Sequence, residues 1–371
     1  MKVLIVGNGS LYKSKGGYSV NKHTKCFCDE LSVSQDVSFL QFYENLTVES
    51  GVQDSSLGSN VKVYASFINS TSNVIIKIFC YLKLFLSAIP AILRNDFVYI
   101  FYPGNASKVI SLICILLRKK FGLYIRGQGS LYSSLEVKIL KKASFCLCVS
   151  ENFKNDVEPY CRDVELIRPM IDFSEKDLVH TRDYSLNHQG KITCLFVGRV
   201  SSHKGLNELS KAYDLLNNSH LKGKVKFNIV GAGELTKELS RKYSMDENFV
   251  LHGVISEKEL LKSLYLNSDA FILPSYKEGF PRVIYESMIV GLPIVTTMVG
   301  GISTLLRNNH SCIEIGVGNA TDIAGAIERL YSDIQLRENI SKNALKQMSS
   351  VFKRSKHSEL LNMRLAKNYD R

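Results

Sequence analysis

Apolar runs closed by glycine, proline or serine recur through the second half of the chain, and amphipathic stretches separate most of them. Leu195-Phe-Val ends at Gly198, Lys226-Phe-Asn-Ile-Val at Gly231, and Val250-Leu-His at Gly253. Asp269-Ala-Phe-Ile-Leu ends at Pro274-Ser275, and Gly291-Leu-Pro-Ile-Val-Thr-Thr297 completes the series. Short apolar runs alternating with helical periodicity predict a parallel, doubly wound α/β sheet, in which ligands gather at the carboxyl ends of the strands. The first half has the same organisation. Strands are expected at Met1 to Val6, Val37 to Phe42, Phe97 to Tyr102, Gly122 to Ile125 and Phe145 to Val149. Gly7-Asn-Gly9 follows the first strand, then a basic loop and Lys15-Gly16-Gly17-Tyr-Ser-Val lead into a helical segment. From Arg168-Pro169 through Asp172 to Gly190 the chain is polar and poorly patterned, as a linker would be. Past Asn319 come two amphipathic helical segments, and the last twenty residues are helical.

At 371 residues the chain suits two domains. The first residues enter a strand directly, so no secretory leader is expected, and nine cysteines then point to a reducing cytoplasm. Cys26-Phe-Cys28 and Cys146-Leu-Cys148 lack the two-residue gap of a zinc knuckle, and the second pair reads as small core residues.

Candidate chemistry centres on Lys277-Glu-Gly-Phe-Pro-Arg-Val-Ile-Tyr-Glu-Ser287. Pro281 suits the first turn of a helix, which puts Glu278 in the loop before it and Glu286 in the second turn. Between them a helix N-terminus presents amides and the positive end of a dipole, favourable for phosphate or sugar oxygens. The plainer alternative is a capped helix with two solvated glutamates. Arg199 and Lys204, just beyond a strand end, supply fixed cations, or else they are solvated surface charges. Gly7-x-Gly9 is a poor dinucleotide fingerprint, because Tyr12 stands where glycine or alanine is needed. That counts against an oxidoreductase.

Six motifs in order between residues 192 and 306 carry a resemblance: G-R-(x4)-K-G, G-x-G-E, H-G-x-(I/V), D-A-x-x-x-P-S, E-G-F-P-(x4)-E and G-G-I. The series resembles the retaining glycosyltransferase family 4, whose fold is GT-B. The resemblance implies two Rossmann-like, doubly wound parallel-sheet domains facing a central cleft. An acceptor-binding domain would span 1–168, a linker 169–190, and a nucleotide-sugar donor domain 191–350. A C-terminal helix, 351–371, would pack back on the first domain. It also implies a metal-independent, retaining hexosyltransferase using a UDP- or GDP-linked sugar, with no cofactor and no metal site. Arg199 and Lys204 would stabilise the leaving diphosphate, and Glu278 would hold the transferring sugar. Glu286 would bind ribose, Val254 the base, and the amides of Gly279 and Phe280, ahead of Pro281, the sugar or phosphate. Gly16 and Gly17 would let the backbone approach the donor or acceptor. Arg126 replaces a histidine common in relatives, and as a permanent cation it binds phosphate or an acidic sugar rather than acting as a base. Thr304 stands where relatives often carry glutamate. A lipid-linked or oligosaccharide acceptor in bacterial surface polysaccharide synthesis is implied. The rival of another class is a non-catalytic subunit that binds sugar nucleotides.

Charge adds one expectation. The formal net charge is +12. From Ser55 to Leu135 one acid, Asp96, faces nine basic residues, among them Lys108, Arg118, Lys119, Lys120 and Arg126. The same window holds two apolar segments, Val74 to Leu93 and Val109 to Leu117, neither suited to span a bilayer. Basic and apolar together predict a peripheral site on the anionic inner face of the cytoplasmic membrane, with Lys108 and Arg118 to Lys120 around Val109 to Leu117 as the contact. No nucleic-acid motif accompanies the charge. The alternative is core helices with solvated ends.

Overall fold

Each half's apolar runs pair into a sheet of their own. The computed structural model describes residues 1–9, 11–14, 17–45, 56–67, 74–127, 133–180, 182–186 and 190–369. The chain divides into two units, Met1–Met170 with Arg354–Arg371, and Ile171–Lys353.

The first unit opens with β1 (Lys2–Val6), β2 (Leu11–Ser14), β3 (Gly17–Val20), α1 (Lys22–Ser32), β4 (Asp36–Asn45) and β5 (Lys62–Phe67). Then come α2 (Val74–Arg94), β6 (Phe97–Tyr102), α3 (Asn105–Leu116), β7 (Phe121–Ile125), α4 (Ser134–Lys142), β8 (Cys146–Cys148), α5 (Glu151–Val157) and β9 (Val164–Leu166). The sheet order is β3-β2-β4-β1-β6-β7-β8-β9, with β5 also on β4. Val3 of β1 stands opposite Val37 on one side and Phe97 on the other, so strand order reverses at β1. Strands β6, β7 and β8 are buried throughout, as parallel strands covered on both faces must be. Instead of a basic loop, Leu11–Ser14 and Gly17–Val20 pair as antiparallel strands with Leu11 opposite Val20. Both are buried, so a short alternation was enough to dock the pair.

Helix α3 turns part of the expected contact segment inward. Ile110, Ile113 and Cys114 are buried, and Lys108 Nζ lies 2.9 Å from the buried Glu136 Oε1. Lys108 therefore serves the interior. The nine cysteines are free thiols, all but Cys26 buried. No helix among the described residues is long and apolar enough to cross a membrane.

The second unit contains β10 (Ile192–Val197), α6 (Leu206–Asn217), β11 (Val225–Val230), α7 (Thr236–Lys242), β12 (Phe249–Gly253), α8 (Lys258–Leu266), β13 (Ala270–Leu273) and α9 (Arg282–Ile289). It continues with β14 (Ile294–Thr296), α10 (Ile302–Leu305), β15 (Ile313–Glu314), α11 (Ala320–Ser332) and α12 (Ile334–Phe352). All strands are parallel, in the order β12-β11-β10-β13-β14-β15. The described part of residues 171–190 is stitched onto this unit. Phe173 packs edge-on against Tyr265, and Asp177 accepts from Lys258 and Lys262 at 2.9 and 2.7 Å. Arg182 donates to the carbonyls of Leu266, Ser268 and Val290. Its polar residues, which give a linker-like composition, are spent on specific partners.

The chain leaves the first unit after Met170 and returns at Arg354, where the Arg168 N–H bonds the Ser355 carbonyl at 3.0 Å. Helix α13 (His357–Tyr369) then joins the first unit. His357 stacks on Phe27 at 4.3 Å between ring centroids, and its Nε2 is 2.7 Å from the Tyr99 hydroxyl. Burial, with the Arg126 charge, pushes its pKa down to about 3. The folded protein thus holds a neutral imidazole while an unfolded chain takes up a proton below about pH 6.5. The native pKa is depressed, so this stability is present above about 6.5 and is lost as pH falls toward 3. From pH 7.5 to 5.5 the loss should be about 1.4 kcal/mol. Urea unfolding of the first unit should show it, and His357→Phe should flatten that slope. An unchanged slope would refute this assignment.

Candidate functional site

Strand order reverses beside β10, which lies between β11 and β13. Connections leaving the two strands diverge at such a point and open a crevice at their carboxyl ends. The loops after β10 and β13 line a pocket of about 570 Å³ there, all within the second unit. Arg199, Lys204, Lys277 and Arg282 line it against two carboxylates, Glu234 and Glu278, so the pocket favours an anion.

Both loops are fixed by close backbone contacts. The turn Ser202–Lys204 ends at Gly205, whose φ is 76°. A Cβ there would lie 2.2 Å from the Pro274 carbonyl oxygen, so only glycine lets the loops meet. The Tyr276 N–H donates to the His203 carbonyl at 3.0 Å. Glu234 accepts from the Ser202 N–H and hydroxyl, each at 3.0 Å, and these bonds hold its carboxyl below the usual range. Held this way, Lys204 Nζ reaches Glu278 Oε1 at 2.5 Å, and the Ser275 hydroxyl donates to the same oxygen at 2.6 Å. The Glu278 side chain is only 7% exposed. Gly300, at φ 58°, passes so close that a Cβ would sit 1.8 Å from the Glu278 carbonyl oxygen.

The structure joins Arg199, Lys204, Glu278, Phe280 and Pro281 in one pocket lining. Pro281 is the N-cap of α9, one residue ahead of the first turn where sequence placed it, because its ψ of 93° is still extended. No side chain among the described residues caps this helix. Gly279 is exposed, and Phe280 rests on Tyr285 at 4.8 Å. Glu286 falls in the second turn but does not line this pocket. It is 4% exposed and accepts from the Tyr265 hydroxyl at 2.9 Å. Burial, then Glu286, pushes the Tyr265 pKa well up, which keeps it a donor. Val254 is half exposed beyond β12 and also lies outside the lining. Its neighbour His252 pairs with Asn228 at 3.0 Å, and burial followed by Lys226 lowers its pKa. Asp269 is tied to Thr193 through an N–H···O bond of 2.7 Å in each direction. Thr304 donates to the Gly301 carbonyl at 2.9 Å.

Arg126 and Gly17 belong to the first unit, and Gly16 lies outside the described residues. Gly17, at φ 124°, opens β3. Arg126 donates to Asn8 Oδ1 and lies 5.2 Å from the Phe101 ring centroid, while Asn8 Nδ2 donates to the Pro103 carbonyl at 2.7 Å. Those residues follow β1, β6 and β7, at the first sheet's own reversal point. Sequence reasoning missed Ser201, His203, Ser275 and Lys277 beside the site, although each falls inside or next to a motif quoted above. It also missed that Glu234 braces the turn carrying Lys204.

The sequence profile of the family Glycosyl transferases group 1 matches residues 181–347. Capsular polysaccharide biosynthesis glycosyltransferase CapM of Staphylococcus aureus is 29% identical over 161 residues, 42% of this chain and 41% of CapM. N,N'-diacetylbacillosaminyl-diphospho-undecaprenol alpha-1,3-N-acetylgalactosaminyltransferase of Campylobacter jejuni is 30% identical over 160 residues, 43% of this chain and 41% of that protein. The matched stretches thus span about two fifths of these relatives. Anabaena Alr3699/HepE, crystallised with UDP, superposes over 100% of both chains with a TM-score of 0.64 at 16% identity, a likeness of fold. Residues 181–347 thus resemble the group 1 glycosyl transferases, and the chain has the two parallel-sheet domains of the GT-B fold.

Proposed function

We propose that this protein moves a sugar from a nucleoside diphosphate to a hydroxyl of a lipid-linked precursor of a bacterial surface polysaccharide, with retention at the anomeric carbon and without a metal ion. The observation that carries the reading is the cationic pocket at the β10/β13 reversal, with Glu278 held by Lys204 and Ser275 inside it. The CapM and Campylobacter relatives support a polysaccharide and a diphospho-undecaprenol acceptor, and the UDP on HepE supports the donor class.

As the bond from anomeric carbon to phosphate oxygen breaks, negative charge grows on the departing diphosphate. Donors already aimed at that position stabilise it most in the transition state. Arg199 and Lys204 take this role. A diphosphate drawing Lys204 to itself frees Glu278 to receive the sugar's hydroxyls. The acceptor hydroxyl attacks on the face the diphosphate leaves, and its proton passes to the departing phosphate oxygen. Glu286 of α9 holds the ribose, with Val254 beside the base. Arg126 of the first unit meets a phosphate or an acidic sugar.

A panel of nucleotide sugars screened by thermal shift and then by donor hydrolysis tests the reading. A donor at 100 times its Kd should add about 2.7 kcal/mol of stability. Binding without any hydrolysis or transfer would favour the non-catalytic subunit. Product anomer analysis by NMR should show retention, and inversion would overturn that part.

The glutamates should separate in kinetics. Glu278→Gln should lower kcat while free nucleotide still binds, and Glu286→Gln should chiefly weaken nucleotide binding measured by calorimetry. Wild-type behaviour in both would remove them from the site.

Arg199→Ala or Lys204→Ala should cost about 10²-fold or more in turnover. Activity should survive EDTA. Loss in EDTA that manganese or magnesium restores would refute the metal-free reading.

A further inference from the structure

Helix α2 is apolar on both sides. At about 100° per residue, Cys80, Leu84, Ala88 and Ala91 share one face, and all are buried. The opposite face carries Phe79, Leu82, Leu86 and Leu93, which are 52–62% exposed. A helix apolar all round normally lies inside a core or a membrane. This one does neither, since its outer row is open and it is not apolar enough to span a bilayer.

Charge identifies what covers the row. Lys83 and Arg94 are exposed along its flank. Helices α2 and α3 both run back to the amino ends of neighbouring strands, β6 and β7, so their C-termini meet at one edge of the sheet. There the Val98 N–H donates to the Lys120 carbonyl at 3.2 Å, so Arg118 to Lys120 and, four residues before Val98, Arg94 belong to the same end of neighbouring strands. Leu116, 79% exposed, ends α3 at the same edge. The single acid in this window, Asp96, has its carboxylate on the Lys2 N–H at 2.7 Å. An apolar row bordered by cations repels a second copy of itself, and it offers a nucleic acid the wrong centre. It matches an anionic lipid surface, where leucines enter the acyl boundary and lysines and arginines stay among the headgroups.

We infer that the outer row of α2, with the basic edge at Arg94 and Arg118 to Lys120, is the face by which this protein lies on an anionic membrane. The centre of the contact thus shifts to α2 from the α3 segment that sequence pointed to, where Ile110, Ile113, Cys114 and Lys108 are turned inward and Leu116 alone stands well out at the shared edge. The inference does not require sugar transfer, so an inactive protein should still bind vesicles.

The chain has no tryptophan, so one introduced indole reports alone. In Leu86→Trp, phosphatidylglycerol vesicles should shift the emission to the blue, and brominated acyl chains should quench it. Phosphatidylcholine vesicles should do neither, and salt near 1 M, where the Debye length is about 3 Å, should release the protein. In Leu215→Trp, which places the indole on exposed α6 of the second unit, the emission should stay unchanged. Leu82→Glu with Leu86→Glu should weaken vesicle partition at least about tenfold, with an unchanged thermal midpoint because both side chains are exposed. Arg118, Lys119 and Lys120 changed together to glutamate should abolish the preference for anionic lipid. Three results would overturn the inference: no vesicle binding, vesicle binding that leaves the Leu86→Trp emission unmoved, or a dimer seen by light scattering that the Leu82 and Leu86 substitutions dissolve.

Discussion

Parallel strands joined by right-handed crossovers must reverse direction somewhere if helices are to cover both faces of a sheet, and everything at the site follows from where that reversal falls. In the second unit it falls at β10, whose neighbours β11 and β13 both follow it in the chain but lie on opposite sides of it in the sheet. The loops leaving β10 and β13 have no helix between them. Gly205 then allows one backbone to touch the other at Pro274, and Lys204 and Glu278, 74 positions apart, become bonded neighbours. The first unit repeats the arrangement at β1, where Asn8 links the loop after β1 to Pro103 and Arg126.

The pairing of Lys204 and Glu278 gives each two duties. With its side chain 7% exposed, Glu278 has its partners within the protein, the Lys204 ammonium and the Ser275 hydroxyl. Removing a charged partner from such a carboxylate typically costs on the order of 1–3 kcal/mol. A change at Lys204 therefore acts on the loop's rigidity as well as on the charge of the pocket. Arg199 is exposed on the same rim and does not share in that bond, so its effects separate more cleanly. Glu234 stands between the two as the brace of the Ser202–Lys204 turn.

The sequence revealed most where local and global requirements coincide. Each buried parallel strand of the second unit needs an unbroken apolar run and a turn residue at its end, so β10 to β14 are visible in the residue pattern alone. Two-residue β15 is too short to leave any period. The pairing of β2 and β3 hides for another reason: its register depends on Leu11 and Val20 docking together, while Lys13 and Gly17 give it the composition of a loop. Arg182 and Asp177 mislead in the same way, being polar residues whose partners lie more than eighty positions away. At the site, Arg199, Lys204, Glu278 and Glu286 were legible because cations and carboxylates stand at short spacing beside glycine turns and a helix start. Their grouping was not, since the depth of Glu286 and its bond to Tyr265 come from how α9 packs.

Helix α13 gives the first unit a second covalent segment, and this bears on the order in which the chain acquires structure during synthesis. Tyr99 finds His357 across 258 residues, and Asp163 finds Arg364 across 201. A ribosome must finish the whole of Ile171–Lys353 before either contact can form. The second unit, continuous in sequence, is free to fold first, while the sheet of the first waits with Phe27 and Tyr99 uncovered. The backbone bond between Arg168 and Ser355 ties the two segments of the first unit together, and the second unit is an insertion within a nascent domain that is completed from its far end.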